Sequence, residues 1–158
     1  MDSLVDFAST NWSYYTIPVA FSLCMAPHLY SIKLAGKNHD LAYPRKTEEH
    51  CAKDTTIDKQ TVRRISRAKA ASTNGFETLG LYAAAVVAAN VARVPNARLN
   101  KLTGLYLLSR ALYVYTYVVL QDNARAALLR VGVWFGGIGL IMTLFTAAGK
   151  AANAVGAV

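Results

Sequence analysis

Apolar residues come in blocks along this chain, with four predominantly apolar stretches near residues 14–34, 70–92, 102–120 and 126–148. Each runs for about 19 to 23 residues, and at about 1.5 Å of rise per helical residue that is the span of a bilayer. The pattern predicts an all-α chain: an integral membrane four-helix bundle in which residues 1–158 form a single domain. Helix two is expected to start inside the polar segment 61–69 and to protrude from the membrane. Small residues, among them Gly75, Gly80, Ala84 and Ala88 in helix two and Gly132, Gly136, Gly137 and Gly139 in helix four, would let neighbouring helices approach closely. The Ala/Gly-rich tail 147–158 is expected to fray.

Residues 36–69 form the one long polar segment, whereas the connections 93–101 and 121–125 are too short for a domain. Composition agrees: 54% of residues are hydrophobic and 16% charged. The 17 Lys and Arg outnumber the 9 Asp and Glu for a net charge of +8, and nine of the basic residues lie in the long segment. Basic loops stay on the cytosolic side, so the long first loop is expected in the cytosol and both termini opposite. The basic run therefore reads as topology and lipid-headgroup contact, not nucleic-acid recognition. Residues 1–12 hold Asp2 and Asp6 but no Lys or Arg, unlike a secretory signal. Cys24 and Cys51 have no metal spacing and read as unpaired thiols, and no metal site is expected. Trp12, Tyr14 and Tyr15 read as an interfacial belt, Lys33 as snorkelling, and His28 as a hydrogen-bonded helix residue.

Ionisable groups inside a span cost about 2.5 to 3.5 kcal/mol each, so Glu77 and Arg110 require a reason. Glu77 lies ten residues past Arg67 and Arg110 eleven before Gln121, placing both about 15 Å deep from the same side. The expectation is that they pair. Arg67, Asn74 and Glu77 share one helical face, as do Arg110, Tyr113 and Tyr117, so two polar stripes should face the bundle interior. With Arg125 and Arg130 near the rim, this predicts a basic, aromatic-lined cleft suited to an anionic ligand. A buried Glu–Arg pair with tyrosine hydroxyls could equally serve only to fix helix register.

The run Arg67-Ala68-Lys69-Ala70-Ala71-Ser72-Thr73-Asn74-Gly75-Phe76-Glu77, followed by Arg110-x-x-Tyr113-x-x-x-Tyr117 and Arg125, resembles the MAPEG proteins, membrane-associated proteins in eicosanoid and glutathione metabolism. The similarity is to the broad microsomal glutathione transferase-like branch. It implies a homotrimer with glutathione as co-substrate between neighbouring subunits near the cytosolic face. Arg67, Asn74, Glu77, Arg110, Tyr113 and Tyr117 would bind glutathione, and Arg125, or alternatively Arg130, would sit by its sulfur. This chain departs from several members in having Ala70 and Ser72 where they carry Arg and His or Gln; Arg67 stands one turn earlier as a substitute. Lys33 and Lys37 are the nearest matches to their basic residues at the end of helix one.

The nucleophile is the thiolate, and a nearby guanidinium favours it over the thiol. The expected activity is glutathione conjugation, or thiol-dependent reduction, of a lipophilic electrophile arriving from the bilayer. The expected location is the endoplasmic reticulum membrane, with membrane lipid as a further partner. A glutathione-dependent isomerase, which regenerates the thiol, and a non-catalytic lipid-binding or scaffold protein are the alternatives.

Overall fold

The computed structural model describes residues 9–120 and 124–155. Five α-helices account for most of them: α1 (Thr16–Ala35), α2 (Thr47–Lys53), α3 (Lys59–Val91), α4 (Asn96–Tyr115) and α5 (Ala124–Val155). Among the described residues there is no β-strand. Four of the helices are 20 residues or longer and pack side by side, with α3 touching α1, α4 and α5. The short α2 lies in the long polar connection.

Local chemistry sets the helix ends. Asp58 caps α3, its Oδ1 accepting from the backbone N–H groups of Gln60 and Thr61 at 2.9 Å each. The cap starts α3 at Lys59, and its 33 residues extend for about 50 Å, well beyond a hydrocarbon core of about 30 Å. The helix thus runs without a break from the polar segment into the apolar stretch. It closes at Arg93, whose φ of 58° lets the Val94 N–H reach back to the Ala89 carbonyl. α4 then begins at Asn96 directly after Pro95, six residues before the apolar stretch that predicts it. Its last turn loosens into a π-helical turn over Thr116–Leu120.

The expected fraying of the tail is not observed: α5 continues to Val155, and only 156–158 lie outside the described residues. Alanine is the best helix former, and Ala147 and Ala148 are held in the core beside Leu144. That core is closed by Tyr82 and Tyr106, stacked with ring centroids 3.8 Å apart. At the end of the bundle carrying the chain's N-terminal side, the Asn90 amide donates to Ser13 Oγ and to the Val86 carbonyl and accepts from Asn11.

The outside of the bundle is apolar. Segments Ser13–Asn38 and Arg125–Ala154 are long and apolar enough to cross a membrane, yet only 22% and 17% of those windows are buried within the chain. Phe21, Leu29, Leu108, Leu128 and Phe135 face outward, which suits a hydrocarbon solvent and not water. Trp12, Tyr14 and Tyr15 are exposed at the start of α1.

The long polar connection is clasped to the bundle. Buried Cys51 packs with Ala35 and Ile65, and both cysteines are unpaired. Asp54 ties the clasp: it accepts from the Thr56 hydroxyl at 2.6 Å, the Asn38 amide at 2.7 Å and the Thr56 N–H at 2.8 Å, with Lys37 Nζ 3.6 Å away. The Thr56 hydroxyl, then the Asn38 amide, hold its carboxyl far below the usual carboxylate range. A depressed carboxylate stabilises the fold above its unfolded value of about 3.9 and loses that contribution as pH falls through the folded value. Amide exchange in residues 38–57, corrected for its intrinsic rate, should therefore accelerate as pH drops below about 4. Asp54→Asn should blunt that acceleration; an identical pH profile in the variant would refute the role of this carboxylate.

Candidate functional site

A cavity of about 290 Å³ opens where α3, α4, the π-helical turn and α5 meet. Asn74 and Glu77 come from α3, Tyr113 from α4 and Tyr117 from the π-helical turn. One face of α5 supplies Arg130, Val131, Trp134 and Phe135. The Asn74 amide donates to the Tyr113 hydroxyl oxygen at 2.7 Å, leaving the hydroxyl hydrogen for another acceptor. Tyr113 meets Tyr117 edge to face at 5.7 Å, and the Arg130 guanidinium lies over the Tyr117 ring at 4.3 Å. The cavity thus presents a carboxylate, a guanidinium, an amide and phenol hydroxyls together with the apolar residues Val131, Trp134 and Phe135.

A second concavity follows the outer face of α3 past Ser66, Lys69, Ala70 and Thr73 and shares Asn74 with the first. From Ser66 to Glu77 the two extend over eleven helical residues, about 16 Å. A tripeptide is at most about 11 Å long. Ala70 lines this groove, whereas Ser72 is buried on another face.

The predicted Glu77–Arg110 pair does not form. Glu77 is exposed on the cavity wall and does not face the interior of the chain. Arg110, only 3% exposed, sits behind Tyr113 and outside the cavity. Its Nη2 approaches the carbonyls of Val133 and Trp134 on α5 at 3.4 Å each, and its guanidinium lies 5.4 Å from the Tyr106 ring centre and 5.3 Å from that of Tyr113. Its Nη1 has no hydrogen-bond partner. Equal depth was necessary for the pair but not sufficient, because the two side chains leave their helices at different azimuths. Stacked Tyr82 and Tyr106, then Arg110, Tyr113, Tyr117 and Arg130, form one continuous aromatic–cation ladder ending in the cavity.

Of the residues singled out from sequence, Asn74, Glu77, Tyr113, Tyr117 and Arg130 line this cavity together. Arg67 is half-buried on α3 and lines neither concavity, and Arg125 is exposed in the first turn of α5. Arg125 and Arg130 are five residues apart, which rotates them about 140° from each other on one helix. Val131, Trp134 and Phe135 lie at about 100°, 40° and 140° from Arg130 on the side of α5 that lines the cavity, whereas Arg125 lies about 140° away in the opposite sense. By sequence Gly137 is one small residue among several in α5. It is the socket for Arg110, since a Cβ there would overlap the guanidinium.

An all-helical chain with an apolar exterior and a polar cavity between its long helices is a helical membrane protein. The MAPEG family model matches residues 15–150, and the chain belongs to the MAPEG family. This places it among the membrane-associated proteins of eicosanoid and glutathione metabolism. No curated protein and no solved structure matches the chain.

Proposed function

We propose that this protein is a membrane-bound glutathione-dependent transferase that conjugates or reduces a lipophilic electrophile. The observation that carries this reading is the mixed lining of the cavity, which combines polar Asn74, Glu77, Tyr117 and Arg130 with apolar Val131, Trp134 and Phe135. Its donor set fits a zwitterionic tripeptide. The Glu77 carboxylate accepts from an ammonium group, the Asn74 amide and the phenols hold peptide and carboxylate oxygens, and Lys69 lies along the groove for a second carboxylate.

Glutathione, when bound, supplies the sulfur nucleophile. Arg130 holds the sulfur in its anionic form, and the Tyr117 ring beneath fixes the guanidinium plane. Trp134 and Phe135 keep water from the electrophile and open towards the bilayer side from which it arrives. Arg110 acts as a strut behind Tyr113.

The same reading takes α1, α3, α4 and α5 as four spans of a multi-pass protein in the endoplasmic reticulum membrane, with the clasped connection in the cytosol. It also takes the chain as a homotrimer. Exposed Thr73, Glu77, Gly80, Ala84, Val87 and Val91 recur on α3 at alternating steps of four and three, the spacing of a helix–helix seam. Gly80 on α3 and Gly132 and Gly139 on α5 meet nothing within 4 Å, which leaves room for a neighbour's backbone. Exposed Arg125 then reaches towards an adjacent subunit.

Calorimetry of the detergent-purified chain with glutathione tests the proposal. Binding is expected, with Glu77→Gln weakening it about tenfold through loss of a charged acceptor. Absence of binding would favour a non-catalytic scaffold, and regeneration of glutathione during turnover would make the enzyme an isomerase.

A further inference from the structure

Between His39 and Thr47 the polar connection closes into a small loop of its own. His39 Nδ1 meets Thr47 Oγ1 at 3.1 Å and draws the two ends of the loop together. Inside it, Asp40 Oδ1 accepts from the backbone N–H groups of Ala42 at 2.8 Å and Tyr43 at 3.0 Å. The Lys46 N–H reaches back across Pro44 to the Tyr43 carbonyl at 3.0 Å. These ties fix the backbone at the tip, and what they present there is apolar: Leu41 is 86% exposed and Tyr43 52%. We propose that Leu41 and Tyr43 form an interfacial anchor, inserted into the headgroup layer of the leaflet at the Ala35 end of α1.

The level of the loop in the bundle points to lipid. With 20 residues α1 is about 30 Å long, which matches one hydrocarbon core from the aromatic residues at its start to Ala35 at its end. From there the chain turns back. Pro44 and Arg45 line a small cavity with His28, Ser31 and Ile32 of α1, so the loop lies beside its last turns, about 5 to 10 Å short of Ala35. The same turns hold Leu29 and Tyr30 exposed on the outer surface. By contrast, Ile65 packs with Ala35, so Lys59, six residues earlier on α3, lies about 9 Å further out.

The chemistry of the tip suits that level. Burying a leucine that is otherwise held in water is favourable, and a backbone already ordered by its own turns loses little entropy on insertion. A tyrosine there places its ring against acyl chains and its hydroxyl at the headgroups. Arg45 and Lys46 flank the tip, with Lys46 Nζ 5.1 Å from the Tyr43 ring centre, and their long stems let the charged ends reach lipid phosphates. The carboxylate at the tip, Asp40, is occupied by backbone N–H groups. Two apolar side chains are also far fewer than the roughly 20 to 30 residues a side of a stable protein interface.

A nitroxide label on Ala42→Cys, which keeps both anchoring side chains, tests the proposal in full-length protein reconstituted into phosphatidylcholine vesicles. Ala42 is exposed, as is Lys59, whose Lys59→Cys label serves as the reference further out. Cys24 and Cys51 are buried, and the parent chain carried through the same labelling gives their background. In power-saturation measurements the Ala42 label should collide preferentially with oxygen, which partitions into the bilayer, and the Lys59 label with an aqueous nickel chelate. Leu41→Asn should lower the inserted-to-withdrawn ratio at Ala42 about tenfold. An Ala42 label as accessible to the chelate as the Lys59 label, or one unmoved by Leu41→Asn, would overturn the anchor. Shielding of Ala42 from both reagents would place the tip against a neighbouring subunit and equally reject it. Neither readout depends on glutathione binding.

Discussion

Arg130→Ala should lower glutathione-dependent turnover about thirtyfold at pH 7, and the deficit should shrink as pH rises through about 8.5. An unassisted thiol with a pKa of about 8.5 is only about 3% thiolate at pH 7, so a guanidinium that keeps it ionised can raise the reactive fraction by about that factor. Because the gain lies in the protonation state, alkaline pH replaces it. Arg130 lines the cavity with its guanidinium 4.3 Å from the Tyr117 ring centre, whereas Arg125 leaves α5 on another face. Arg125→Ala should accordingly stay within about threefold of the parent, an effect below about 0.7 kcal/mol. A pH–rate profile of both variants decides the matter. A large loss in Arg125→Ala with little in Arg130→Ala would move the thiol to the subunit interface, and a deficit constant with pH would remove Arg130 from thiol ionisation.

Gly137→Ala should destabilise the chain by about 1 to 3 kcal/mol, while Gly136→Ala one residue away should be neutral or slightly stabilising. A Cβ at residue 137 would overlap Arg110 Nη2 and lie 2.7 Å from its Cζ, and the guanidinium has nowhere to go between the Tyr106 and Tyr113 rings and the α5 backbone. A Cβ at Gly136 meets nothing within 4 Å. The thermal midpoint of Gly137→Ala is expected to fall by roughly 3 to 10 °C. In an Arg110→Met background the same change should cost less, a coupling within the roughly 0.5 to 3 kcal/mol found for touching residues. Equal midpoints for the two glycine variants would mean that Arg110 can leave its socket freely.

Helix content and the approximate position of each long helix were legible in the apolar blocks, because burial in lipid or in a core demands long runs of the same chemistry. The helix starts were less so. Asp58 and Pro95 lie outside the apolar blocks, yet a cap and a proline at the helix start let α3 and α4 begin in polar sequence. For the tail, the alanines that suggested fraying are the residues that extend α5 once Ala147 and Ala148 are packed. Helical spacing grouped Asn74, Glu77, Tyr113 and Tyr117, but it grouped Arg67 and Arg110 with them, and neither lines the cavity. The partner of Arg110 was not legible, because spacing along one helix says nothing about the azimuth of the next.

The sequence by itself determined that this is a helical membrane protein of the MAPEG family, with its polar residues gathered on faces of helices that must otherwise meet apolar surroundings. Only the tertiary structure decided that Arg110 turns from Glu77 into a glycine socket on α5, that Arg130 and not Arg125 shares a cavity with Glu77, and that the polar connection folds back onto the ends of α1 and α3. Helical periodicity fixes which residues share a face, but the rotation and separation of neighbouring helices come from how small residues such as Gly75 and Gly137 let them pack.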